Sequence, residues 1–180
     1  MPEEKIISQQ YVHRGRVVTL RIDKIELPAS GKITTREVVE HGDCVVIVAI
    51  DGQRNTLLVR QFREAVGKTL LEVPAGGLKP GEDPEDCVRR ELQEETGFKP
   101  LKVEKLGGFY ASPGFCTEFM HLFLATDLVP SRLYDEDTES IEVEKVPLAK
   151  VPQLIADGSI IDAKSIAGLL LAMRGIKKES

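Results

Sequence analysis

One stretch constrains this chain more than any other: Gly76 to Phe98, which reads GGLKPGEDPEDCVRRELQEETGF. Pro80-Gly81 is turn chemistry, Asp83 suits a helix N-cap, Pro84 suits the first helical position, and Gly97 suits the left-handed position past a helix end. The spacing predicts a helix over Pro84 to Thr96, entered from a loop. At about 100° per residue, Glu91, Glu94 and Glu95 share roughly one quarter to one third of its circumference. Like charges at that spacing repel, and a merely solvated face does better with lysines interleaved. A hard divalent cation removes the conflict, since Mg²⁺ takes carboxylate oxygens, keeps several waters and shares its other positions with substrate phosphates.

Seven positions in the stretch, Gly76, Glu82, Arg90, Glu91, Glu94, Glu95 and Gly97, stand with apolar Leu92 and Phe98 in the pattern G-x5-E-x7-R-E-U-x-E-E-x-G-U, where U is apolar. Chance agreement is on the order of one in a billion per window. The pattern resembles the Nudix box at every position. That resemblance implies an α/β fold, an α/β/α sandwich, that hydrolyses a nucleoside diphosphate linked to another group with Mg²⁺ or Mn²⁺. It also implies metal ligation by Glu91 and Glu95, joined by Glu94 where more than one ion binds, with the carbonyl of Ala75 completing the site. Arg90 and Glu82 match family residues that orient the loop and helix.

Charge and composition narrow the partners. A net charge of −5 gives no general attraction to nucleic acid or to an anionic membrane, and it still permits the small nucleotide substrate that the resemblance implies. The opening MPEEKIISQQ lacks a signal-peptide pattern and no apolar run approaches a membrane span, so the expected compartment is the cytoplasm. Cys44, Cys87 and Cys116 are widely spaced without metal-ligand pairing and read as reduced thiols. His13, His41 and His121 show no ligand spacing either.

Alternation over Val17 to Leu27, the turn Pro28 to Gly31 and a returning strand Ile33 to Glu40 predict an N-terminal antiparallel β-ribbon. The division expected is residues 1–42 as ribbon and 43–180 as hydrolase domain, with further strands at Cys44 to Ile50, Thr56 to Arg63, Leu101 to Phe109, Met120 to Leu128 and Ile141 to Pro147. Leu148 to Ala156 reads as a short helix, and Asp162 as the cap of a last helix striped with Ile166, Leu169, Leu170 and Met173. A two-stranded ribbon is marginal alone and must pack on something. In the resembling enzymes it builds a homodimer, the state expected here.

Resemblance narrows further outside the box. QFR at Gln61 to Arg63 followed by LEVPAG looks like the ADP-ribose pyrophosphatase branch, and Arg63 is expected on the substrate because guanidinium matches a phosphate bidentately. Glu72 fits two roles, buried partner of an arginine or outer-shell support for the metal. Pro113 lies sixteen residues beyond Gly97, within Ser112-Pro113-Gly114, and Glu118 follows four residues later. That spacing also resembles the ADP-ribose branch, where Ser112, Pro113, Glu118 and an arginine matching Arg36 imply substrate contacts. Cys116, in the same segment, has no partner base and no assigned chemistry. The acidic loop VPSRLYDEDTES, Val129 to Ser140, is expected to carry an acid that deprotonates or positions water, with Glu139 first and Asp137 and Glu136 next. The expectation is hydrolysis of ADP-ribose to AMP and ribose 5-phosphate. Its rivals are hydrolysis of a GDP- or UDP-sugar and a Nudix-like module that binds a nucleotide without cleaving it.

Overall fold

The computed structural model describes residues 3–176, apart from the side chains of Asp137 and Ile176. These residues fall into two units, one containing those up to Asp43 with Tyr110–Phe119, the other Cys44–Phe109 with those from Met120 onward. The first unit is an antiparallel sheet in the order β1 (Lys5–Arg14), β2 (Val18–Glu26), β3 (Ile33–His41). Gly31, at φ 65°, closes the β2–β3 turn through its amide to the Leu27 carbonyl at 2.9 Å. The Tyr110–Phe119 segment is laced to β3, with the Val39 amide donating to Phe115 O at 2.7 Å and the Thr117 amide to Val39 O at 3.0 Å.

This sheet has one strand more than the two-stranded ribbon expected from sequence. Strand β1 escapes the periodicity argument for two reasons. Its register against β2 shifts between Ile6 and Ser8 and again between Tyr11 and His13, and all ten of its residues are exposed, so no alternating burial marks it.

The second unit is built on β4 (Cys44–Ile50), whose run CVVIVAI is buried at every residue. A strand with no polar alternation must be covered on both faces. Strands β5 (Asn55–Arg63), β6 (Lys68–Glu72), β7 (Ala75–Gly77), β8 (Phe98–Tyr110), β9 (Phe119–Pro130) and β10 (Glu142–Pro147) join it in the order β10-β5-β4-β9-β8, with β6 beside β5 and β7 beside β4. Strand β9 is parallel to β4, and β5 and β7 are antiparallel to it. Helix α1 (Pro84–Thr96) covers one face, placing Cys87, Val88 and Leu92 on Val45, Ile47, Ala49 and Leu57. Helices α2 (Val151–Ala156) and α3 (Ala163–Ile176) cover the other, bringing Val151, Leu169 and Ala172 to Val46, Val48, Ile50 and Leu58. The result is an α/β/α sandwich.

The sequence offers a strand over Thr56 to Arg63 and no further element before the box. The structure has a hairpin there: Gly67, left-handed at φ 62°, turns the chain so that β6 returns antiparallel along β5 before β7 pairs with β4. No helix among the described residues is long and apolar enough to cross a membrane.

Candidate active site

Local chemistry sets the acidic helix. Asp83 is extended and its side chain accepts from the Glu85 amide at 2.8 Å, Pro84 opens the helix, and Gly97 ends it at φ 78° with its amide on Gln93 O. The buried stripe of Cys87, Val88 and Leu92 fixes the rotation of α1, and that rotation directs Glu91, Glu94 and Glu95 toward the strand-loop segment at Ala75 to Gly77. A cleft of about 290 Å³ lies there, lined by Gly76, Gly77, Lys79, Arg90, Glu91, Glu94 and Glu95, with Gln61 from β5, Asp135 and Thr138 from the acidic loop, and Ile141 just past it.

Arg90 organises its floor. Nε and Nη2 bind the two oxygens of Glu82 at 2.7 and 2.8 Å, Nη2 also reaches Gly77 O at 3.1 Å, and Nη1 reaches Glu91 at 2.5 Å and Glu94 at 3.0 Å. Glu82 accepts in addition from the Lys79 amide at 2.8 Å, so one guanidinium joins the loop to the helix. The Arg90 bonds hold the Glu82 carboxyl far below its ordinary range, at about 2. That folded value lies below the unfolded one, so the stability it contributes is present above about pH 4.5 and lost as pH falls toward 2. Glu82→Gln is expected to lower the unfolding free energy at pH 7 and to flatten its fall between pH 4.5 and 2, checked by urea unfolding across that range. An unchanged acid limb would refute the pairing.

The catalytic-side carboxylates behave in the opposite sense. Glu95 is 6% exposed, and the only hydrogen bond to its carboxylate among the described residues is from the Ala75 amide at 3.3 Å. Burial, then repulsion from Glu91, pushes its carboxyl up to about 8. Burial also raises Glu91, with Glu94 and Glu82 adding repulsion against the pull of Arg90. Among the described residues no three acidic, histidine or cysteine side chains converge on one point, because Glu91 and Glu94 lean on Arg90 while Glu95 turns to Ala75. The donor set nevertheless fits a hard divalent ion. Its side-chain donors are carboxylate oxygens, two of them carry raised affinity for a proton that a cation would replace, and a Cβ at Gly76 would sit 1.9 Å from Glu91 Cδ.

Arg63 and Glu72 form a second layer. Arg63 Nε and Nη2 grip the two Glu72 oxygens at 2.9 and 2.7 Å, and Glu72 is 1% exposed. The arginine-partner role left open for Glu72 is thus occupied by Arg63. Burial works to raise the Glu72 carboxyl, but Arg63 and Lys164 outweigh it and hold it below its ordinary value. Sequence reading missed Lys164. Its Nζ contacts Glu72 and, at 2.8 Å, Asp162, which also accepts from the Ser165 amide at 3.0 Å and hydroxyl at 2.5 Å. Ser165 Oγ in turn accepts from the Val73 amide at 2.8 Å. Only the capping role of Asp162 was visible in the sequence; a lysine two residues later carries no signal for a partner 92 residues upstream.

Other expected residues are placed as follows. Glu139 accepts from the Tyr134 hydroxyl, while its neighbour Asp135, not singled out from sequence, lines the cleft. Glu136 lies in a short 3₁₀ turn; the side chain of Asp137 is outside the described part. In the first unit, Arg36 pairs with Glu4 at 2.6 Å, Glu118 lies 3.5 Å from His41 Nδ1, Ser112 O accepts from the Cys116 amide at 2.8 Å, and Pro113 is exposed.

Comparison with known proteins places the chain in a family. The ADP-ribose pyrophosphatase of Bacillus subtilis (strain 168) is 40% identical over 166 residues, spanning 91% of this chain and 89% of its own. A GDP-mannose pyrophosphatase of Klebsiella pneumoniae subsp. pneumoniae is 35% identical over 176 residues, spanning 91% and 86%. A crystal structure of an ADP compounds hydrolase superposes with a TM-score of 0.92 at 24% identity, covering 100% of this chain and 97% of that one, and shares its fold. The NUDIX domain model matches residues 40–169, and the chain belongs to the Nudix family of hydrolases.

Proposed function

We propose that this enzyme hydrolyses the pyrophosphate of ADP-ribose to AMP and ribose 5-phosphate, with Mg²⁺ as the ion and Mn²⁺ able to replace it. The observation that carries the reading is the cleft where three glutamates of one helix face meet Gly76 with two of them electrostatically frustrated. The identity to an ADP-ribose pyrophosphatase across most of both chains supports the substrate. Glu91, Glu94, Glu95 and the Ala75 carbonyl would hold the ion, which when bound neutralises the diphosphate and lowers the pKa of coordinated water. Arg90 and Glu82 keep the helix and loop in place. Arg63 binds phosphate oxygens, and Glu139, or an acid beside it in the 135–142 loop, takes the proton of the attacking water. Such chemistry is chiefly positioning and electrostatics. For Arg36, Ser112, Pro113 and Glu118 the proposed role is substrate contact, carried by the sequence resemblance.

The working unit proposed is a cytoplasmic homodimer, with residues 1–42 as the dimerisation element and 43–180 as the hydrolase domain. Supporting the first part, Ile6, Ile7, Tyr11, Val12 and Ile33 of the N-terminal sheet are exposed in the single chain, and apolar side chains in such number favour burial against a partner.

A second reading, hydrolysis of GDP-mannose or another nucleoside diphosphate sugar, is favoured by the relative of that name. Incubation with Mg²⁺ and, separately, ADP-ribose, GDP-mannose, UDP-glucose and diadenosine tetraphosphate, followed by ion-exchange separation, distinguishes the two. AMP released preferentially from ADP-ribose is the expected result. Turnover centred on another substrate would replace the substrate and keep the site; no turnover with either Mg²⁺ or Mn²⁺ would turn the reading into a binding module.

A further inference from the structure

We propose that Lys164, at the start of α3, is a positioning residue for this cleft: it supplies the charge that leaves Arg63 able to receive a phosphate. The inference rests on the reading above only in that the cleft takes a diphosphate group.

The argument begins with the charges. Arg63 and Lys164 face Glu72 and Asp162, two cations against two carboxylates in one bonded cluster. Glu72 is closed off from water and its pair with Arg63 is neutral, so the second carboxylate, Asp162, would by itself leave the cluster net negative toward an incoming anion. Lys164 changes this by sharing the same Glu72 oxygen that Arg63 Nη2 uses. Arg63 commits Nε and Nη2 to that carboxylate; Nη1 has no partner among the described residues, and the side chain stays 39% exposed. Gln61, which lines the cleft, precedes Arg63 by two residues on β5 and so points to the same side of the strand.

Lys164 has no comparable freedom. Its side chain is 10% exposed and is bound by carboxylates on two sides, so it cannot swing out to take substrate itself. Its effect on a ligand therefore passes through Glu72 and Arg63. Removing its charge leaves the cluster with one net negative charge beside an incoming polyanion, and the added repulsion weakens binding by about tenfold.

The test compares wild type with Lys164→Met, Lys164→Arg and the double variant Lys164→Met/Asp162→Asn. The double variant restores neutrality without altering the Arg63–Glu72 pair, because the side-chain carbonyl that the Asp162→Asn change retains still accepts from Ser165. The probe is inorganic pyrophosphate with Mg²⁺, followed by calorimetry, with KM and kcat on whichever nucleoside diphosphate the wild type cleaves as the second readout. Expected are a Kd and KM about tenfold higher in Lys164→Met with kcat changed less than about threefold, near wild-type values in Lys164→Arg, and recovery of most of the loss in the double variant. A merely structural lysine would lower the melting temperature of Lys164→Met without moving Kd, and that result would overturn the proposal. So would a double variant that binds no better than Lys164→Met, or a wild type that does not bind pyrophosphate. Failure to cleave ADP-ribose would instead overturn the substrate reading and leave the pyrophosphate comparison standing.

Discussion

Glu95→Gln is expected to lower turnover about a thousandfold or more, a loss near 4 kcal/mol of transition-state stabilisation, while the protein stays folded. The stability side has a sign that separates this site from an ordinary core. In the folded chain the Glu95 carboxyl is raised to about 8, above its unfolded value of 4.5. Its favourable contribution is therefore complete below about pH 4.5 and lost as pH rises through 8, where the buried carboxylate must ionise beside Glu91. Without divalent cation at pH 8, the glutamine variant is expected to be more stable than wild type by about 1–3 kcal/mol, or roughly 3–8 °C. Circular dichroism melts in chelator at pH 5 and pH 8 check this: the advantage should be large at pH 8 and absent at pH 5. A variant destabilised at both would mean that Glu95 is a structural residue.

Gly76→Ala is the second large effect, and it should fall on activity far more than on folding. The new Cβ would lie 1.9 Å from Glu91 Cδ and 2.1 and 2.3 Å from its oxygens, an overlap that requires movement. The colliding atoms are the far end of a flexible side chain, and Gly76 does not occupy the left-handed region, so the backbone tolerates alanine. Glu91 swings away at little cost in stability, within about 1 kcal/mol. Displacing a ligand by an ångström or more costs about a hundredfold in rate. Turnover and a thermal melt on the same preparation test this. Wild-type activity in Gly76→Ala would show that the observed position of Glu91 is irrelevant to catalysis.

These two residues were legible in the sequence because the information that places them is local. Asp83, Pro84 and Gly97 fix the ends of α1, the apolar stripe of Cys87, Val88 and Leu92 fixes its rotation, and the glutamates follow from helical spacing. The α/β/α layering was expected only through the resemblance of the box; the run CVVIVAI by itself marked a buried strand, and the structure shows it covered on both faces. What stayed hidden depends on distant pairing. Strand β1 carries two register shifts and no buried face, so its residues look like an unstructured leader. The hairpin that returns at Gly67 was not expected from the sequence because one glycine in QFREAVGKTLLE is a weak turn signal. Lys164 illustrates the limit most sharply. Nothing near it in the chain distinguishes it from a solvated lysine, and only the fold brings it to Glu72.

The loop from Val129 to Ser140 shows the same limit within the site. Its acidity was visible, and so was its suitability for carrying a base. Which carboxylate enters the cleft is decided by backbone turns and by the Tyr134 hydroxyl, which engages Glu139 while Asp135 lines the cavity. Composition does not encode that choice.

The most direct test of the central claim, that the α1 glutamates form a divalent-cation site, is a Mn²⁺ titration of wild type and Glu95→Gln followed by electron paramagnetic resonance of the free ion. The expected result is that wild type withdraws Mn²⁺ from solution with an affinity at least about tenfold higher than the variant. Superimposable titrations would contradict the assignment of Glu95 to the metal and with it the account of catalysis.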